Sequence, residues 1–136
     1  WSTQATRFFH DGAEVKRTEK TLSIMQEDEH LFDNLIVCWE NPDSNCGECP
    51  KCQRTMTTLK ILEKKSTAFQ KEISLNDLKK IWIGGKGDLI YCDENISLSE
   101  ELGRREIGEA LRKAKFRYQI RSVKSKILNA FGQKKP

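Results

Sequence analysis

Nowhere in the 136 residues is there an apolar run of about 18, the length a helix needs to cross a bilayer, so no membrane span is expected. The chain opens Trp1-Ser2-Thr3, without Met, a basic stretch or the apolar segment of a secretory signal. That opening points to a cytoplasmic protein and to a piece of a longer one. Apolar material is scarce as well: 37% of residues are hydrophobic and 32% are charged. So little supports one modest core, and a chain of this kind gains from a metal or a partner. No internal repeat is present. No Ser/His/Asp or Cys/His nucleophilic arrangement can be assembled, and the carboxylates show no pairing suited to acid–base work.

What is abundant is charge, unevenly spread. From Gly103 to Pro136 there are 11 Lys and Arg against two Glu, Glu106 and Glu109, so this segment carries +9 while residues 1–102 carry −5. A basic tail on an acidic body suggests an anionic partner, although a charge run is more often a solvated helix face. A nucleic acid is one such partner for residues 104–126. Aromatics there are sparse, only Phe116, Tyr118 and, further on, Phe131, so a base-stacking platform is not expected.

Four of the five cysteines fall within 15 residues, spaced Cys38-x7-Cys46-x2-Cys49-x2-Cys52. In a chain without a secretion signal such clustering favours metal over disulfides. Zinc takes four soft donors at tetrahedral corners, and a two-residue gap lets neighbouring sulfurs converge on one ion. Gly47 permits a tight turn, and Pro50 is tolerated in the first turn of a following helix. With four thiolates no position stays open for water, the pattern of a closed structural site. Lys51 and Arg54 lie beside the cluster in sequence and would offset part of its −2 charge. An iron–sulfur cluster is the main competitor, since Cys-x2-Cys-x2-Cys also occurs in ferredoxin-like runs, but here the fourth cysteine lies upstream and no Cys-Pro pair closes the run. Redox or disulfide chemistry is the remaining alternative. Cys92, isolated in an apolar stretch, reads as a small buried hydrophobe.

Periodicity and turn residues predict the remaining elements. A helix is expected from Glu14, with Val15, Leu22, Ile24 and Met25 on its apolar side, and a short one over Glu29 to Asn34. Leu35-Ile36-Val37-Cys38-Trp39 reads as a short buried strand and Asn41 to Asn45 as a loop. A helix from Pro50 to about Lys65 presents Met56, Leu59, Ile61 and Leu62. Ser74 is an N-cap for Leu75 to Ile81. Ile83 to Asp88 is a glycine-rich turn, and Leu89 to Cys92 a short strand or connector. Ser97 or Ser99 opens the last long helix, buried along Leu102, Ile107, Ala110, Leu111 and Ala114. Trp39 and Trp82 are assigned to packing, and His30, among acids, to the surface.

The stretch Asn45 to Met56, NCGECPKCQRTM, resembles the zinc loop of the 7-cyano-7-deazaguanine synthases, which place C-G-x-C-x2-C after an upstream cysteine; Cys38, Cys46, Gly47, Cys49 and Cys52 occupy that pattern. Arg54 sits one position earlier than that family's arginine. HDGAEVKRTEK, from His10 to Lys20, followed by VCWENPDSNCGECPKC, looks still more like a group of uncharacterised bacterial relatives of the PP-loop ATP-pyrophosphatase superfamily. The resemblance covers about residues 1–63. It implies an α/β parent fold of which this chain is a mostly α-helical C-terminal fragment with a short strand and a four-cysteine zinc loop. Residues 1–66 would close the ATP-pyrophosphatase-like domain, and residues 67–136 would form a helical extension with the basic tail. The superfamily's Ser-Gly-Gly-x-Asp-Ser loop, which cradles pyrophosphate, is not in this sequence, so ATP is expected only together with a preceding nucleotide-binding region.

His10, Asp11, Arg17 and Lys20 form a second constellation. Arg17 and Lys20 lie three apart, on one face of the expected helix, where two cations can grip phosphate, and a histidine at the preceding turn could reach the same pocket. In the relatives this region would face the nucleotide or substrate cleft. The alternative is a turn followed by a solvated helix face.

Overall fold

The computed structural model describes residues 5–7, 9 and 14–132. Its elements are helical: α1 (Arg17–Glu27), a 3-10 segment (Glu29–Asn34), α2 (Pro50–Ile61), α3 (Leu75–Lys80), α4 (Lys86–Glu101) and α5 (Arg105–Gly132). The only β pairing among the described residues is an isolated parallel bridge between Asn45 and Phe69.

Local chemistry accounts for most of the boundaries. The Lys16 amide donates to the Glu19 carboxylate at 3.3 Å, which starts α1 at Arg17, three residues later than the apolar pattern suggests. Only Thr18 of α1 is fully buried; Leu22 and Met25 pack on the core, whereas Val15 and Ile24 face solvent. Ser74 caps α3 as expected: its hydroxyl accepts from the Asp77 amide at 3.1 Å, and the Asp77 carboxylate accepts the Ser74 amide at 3.0 Å. In the glycine-rich turn Asp88 accepts the Gly84 amide at 2.8 Å, just ahead of α4, which begins at Lys86 without a side-chain cap at Gly85.

Three expectations are corrected here. Leu35 to Trp39 is not a strand. Its backbone is paired with the side chain of Asn45 rather than with a neighbouring strand, so the apolar run is extended but belongs to no sheet. Leu89 to Cys92 is helix, the second turn of α4. Ser97 and Ser99 lie inside α4 and open nothing; Ser99 instead donates to the Ile96 carbonyl at 2.7 Å. The break falls at Gly103, whose φ of +70° suits glycine, with Gly103 and Arg104 amides closing onto the carbonyls of Glu100 and Ser99.

That turn folds α5 back on α4. The core runs from Met56, Leu59 and Ile61 on α2, through Phe69, Ile73, Leu78 and Ile83, to Cys92, Ile96 and Leu98 on α4 and Ile107, Ala110, Leu111 and Ala114 on α5. Leu102, expected in the stripe, is 41% exposed because it sits on the turn. Cys92 is buried, with its Sγ 3.8 Å from the Leu111 carbonyl and its thiol pushed up to about 11, first by burial. The α2–α4 seam carries a buried polar pair, Thr58 hydroxyl to Asn95 Oδ1 at 2.9 Å. Arg104 reaches back to α2, bonding the Ile61 carbonyl and pairing with Glu63 at 2.5 Å. Trp39 and Trp82 do not pack inside; they are 60% and 58% exposed, each lying against a cation, Lys51 and Arg121.

The α4–α5 approach is tight at one point. A Cβ at Gly108 would stand 2.7 Å from Ser99 Oγ, and Ser99 is fully buried. Gly108→Ala is therefore expected to lower stability by about 1–3 kcal/mol in denaturant melts. Adding Ser99→Ala is expected to recover most of that loss. Equal stability of Gly108→Ala and the native chain would show that the helices do not meet so closely.

Candidate metal centre

The site is built on two backbone stretches. Cys46, Gly47, Glu48 and Cys49 form a turn running into α2, and Cys38 arrives on the extended segment before it. Gly47 takes a φ of +72°, a left-handed conformation that favours glycine. Cys49 is the N-cap of α2, its Sγ accepting the Cys52 amide at 3.5 Å, with Pro50 in the first turn. Cys52 lies one turn in and is fully buried.

Every pair of the four sulfurs lies within 4.8 Å. Cys38 and Cys49 are 3.9 Å apart, Cys46 and Cys52 4.0 Å. A tetrahedron with metal–sulfur bonds of about 2.3 Å has edges near 3.8 Å, so the thiols stand where one ion can bind them all. The four cysteines that spacing nominated are thus brought together close enough to hold a metal. All are free thiols.

The surroundings suit thiolates. The Asn41 amide donates to Cys38 Sγ at 3.3 Å, and the Glu48 and Cys49 amides donate to Cys46 Sγ at 3.4 and 3.3 Å. The N-terminus of α2 adds its positive dipole end beneath Cys49 and Cys52. Before metal enters, the thiols are unequal. The Cys46 backbone amide holds Cys38 down to about 6, while burial pushes Cys52 up to about 12. A bound cation would supply the charge that Cys52 needs to lose its proton.

The flanking cations differ from expectation. Lys51 sits 5.4 Å from the Trp39 ring, beside Cys38. Arg54 turns away to an ion pair with Asp88 on α4 and stacks 4.5 Å over Tyr91. The cation that comes over the loop is Lys71, distant in sequence, which pairs with Glu48 at 2.9 Å and feels the field of Cys46.

Sequence reasoning missed the residue that assembles the site. Asn45, 6% exposed, uses its full amide capacity. Oδ1 accepts the Val37 and Cys38 amides at 2.8 and 3.2 Å; Nδ2 donates to the carbonyls of Leu35 and Ala68 at 2.7 and 3.1 Å. Loop composition marked a turn at 41–45 but gave no sign that one asparagine there was buried.

Of the second constellation only Arg17 and Lys20 are among the described residues, both on α1. His10 and Asp11 lie outside them. Arg17 is at the start of α1 with its guanidinium 5.8 Å from the Tyr91 ring, and Lys20 is exposed. His30 is exposed, 3.5 Å from Asp33.

No protein-family model, curated protein or solved structure matches the chain. No helix among the described residues is long and apolar enough to cross a membrane.

Asn45→Asp keeps the volume but turns a double donor into an acceptor facing two carbonyls. It is expected to cost about 2–4 kcal/mol, read in thermal and denaturant melts, and to loosen Cys38 selectively, read as faster alkylation of that thiol. Unchanged stability would remove Asn45 from its organising role.

Proposed function

We propose that the chain is a zinc-stabilised module in which one Zn²⁺ on Cys38, Cys46, Cys49 and Cys52 has a structural role. The supporting observation is the mutual distance of the sulfurs, within 4.8 Å. In a polynuclear iron–sulfur cluster the cysteines sit on different irons, and their sulfurs stand apart across it. Four sulfurs this close fit a single ion better. A full set of four thiolates leaves no position for water or substrate, which favours a structural over a catalytic metal.

The same loop supports a wider reading, in which the chain is the C-terminal segment of a 7-cyano-7-deazaguanine synthase-like ATP-dependent protein. Nucleotide activation would then belong to a preceding region. This kinship rests on the loop residues and their order. It is checked by the sequence ahead of Trp1, where a Ser-Gly-Gly-x-Asp-Ser stretch is expected, and by an ATP titration of the longer chain.

The metal reading has its own test. Purified protein is expected to be colourless and to contain one zinc per chain by elemental analysis. Cys52→Ser, at the fully buried ligand, is expected to weaken zinc binding more than the ~10–100-fold typical of changes around the ligands. A strong chelator is expected to cost helical signal in the far-ultraviolet and to lower the melting temperature. Stoichiometric iron with visible absorbance, or a chelator with no effect on the fold, would overturn the assignment.

A further inference from the structure

The outer face of α5 carries an apolar seam that the fold leaves uncovered. Ile107, Ala110, Leu111 and Ala114 face the core. At 3.6 residues per turn, Phe116, Ile120, Val123 and Ile127 share one line on the side opposite that face. They are exposed by 61%, 41%, 55% and 50%. From Val123 to Leu128 every side chain is exposed. Their spacing is 4, 3 and 4, the period of a coiled-coil seam, with isoleucines at a and Phe116 and Val123 at d.

The flanks identify the occupant. In that register the e positions are Arg117 and Lys124, and the g positions Arg112, Gln119 and Lys126, with Lys113 at a further a position. No acidic residue follows Glu109. Arg112 pairs with Glu100, and Arg117 donates to the Lys79 carbonyl at 3.1 Å. Among the described residues no carboxylate pairs with Lys113, Lys124 or Lys126. Two copies of this helix would set cation against cation along both flanks, which disfavours self-pairing. A nucleic acid would satisfy the cations but leave the apolar line in water. The line is also a narrow seam, not the broad apolar face with which helices lie in a lipid surface.

We propose that the Arg112–Leu128 face of α5 docks an acidic amphipathic helix of a partner protein, with apolar residues at its a and d positions and Glu or Asp at e and g. The seam seats the partner's apolar residues, and the uncompensated cations select its charge. This docking is independent of the metal.

The test uses the full chain and two synthetic three-heptad peptides, identical at a and d (Ile and Leu) but carrying Glu or Lys at e and g, titrated by calorimetry at physiological salt. The Glu peptide is expected to bind and the Lys peptide not. Ile120→Ser with Val123→Ser keeps every charge and is expected to weaken binding at least ~tenfold without lowering the melting temperature, since both residues are surface-exposed. Lys124→Glu with Lys126→Glu is expected to shift preference toward the Lys peptide. Binding of the Glu peptide that ignores the Ile120/Val123 change would overturn the proposal, as would tighter binding to duplex DNA or to phosphatidylserine vesicles. So would a homodimer, seen by sedimentation, that the same double change dissolves.

Discussion

The extended segment that carries Cys38 has no sheet to join, yet its half-buried amides and carbonyls require partners. One side chain, Asn45, meets that requirement. By bonding Leu35, Val37 and Cys38 on one side and Ala68 on the other, it ties the arriving backbone to the cysteine turn and to the connection leaving α2. This clamp holds Cys38 against the turn that bears Cys46 and Cys49, and the Cys46 amide, which bonds the Cys38 sulfur, adds to it. The 3-10 segment is fastened to the same connection, through Ser66 to the Phe32 carbonyl and the Thr67 amide to Asp33. The result is a polar scaffold around a metal-sized cluster, where a chain with more apolar residues would have used a larger core.

The rest of the molecule is a helical stack on that scaffold. α2 carries Cys49 and Cys52 at its start and Met56, Leu59 and Ile61 further on, so one helix links the cysteine cluster and the core. α4 receives it through Thr58–Asn95 and through Arg54, which bridges to Asp88 and Tyr91. The Gly103 turn then brings α5 across α4 and α3. Arg121, under Trp82 and bonded to the Ile83 carbonyl, closes the far end.

The cysteine spacing was readable because the candidate ligands are few, chemically distinctive and local: three of four fall within seven residues. The Ser74 cap and the start of α2 at Pro50 were readable for the same reason, being set by residues within a few positions of one another. What escaped the sequence was set by distant partners. Leu35 to Trp39 has the composition of a strand, and only the buried Asn45 shows that its hydrogen bonds go elsewhere. Leu89 to Cys92 is apolar enough for either state, and its inclusion in α4 depends on packing against α2 and α5. Serines at 97 and 99 look like caps until the carbonyl of Ile96 is found to satisfy Ser99. Lys71 reaches the cysteine loop over a separation that no local pattern encodes, and Arg54 leaves it for a carboxylate 34 residues away.

Between Glu109 and Gly132, α5 contains neither glycine nor proline, so nothing in its sequence introduces a hinge. Its 28 residues give a rod about 42 Å long at 1.5 Å per residue. The near half is seated on α3 and α4, and the far half inherits its direction from that seat. Whatever grips the outer end is consequently held at a fixed bearing to the cysteine loop, and a torque applied there is delivered as leverage to the Gly103 corner.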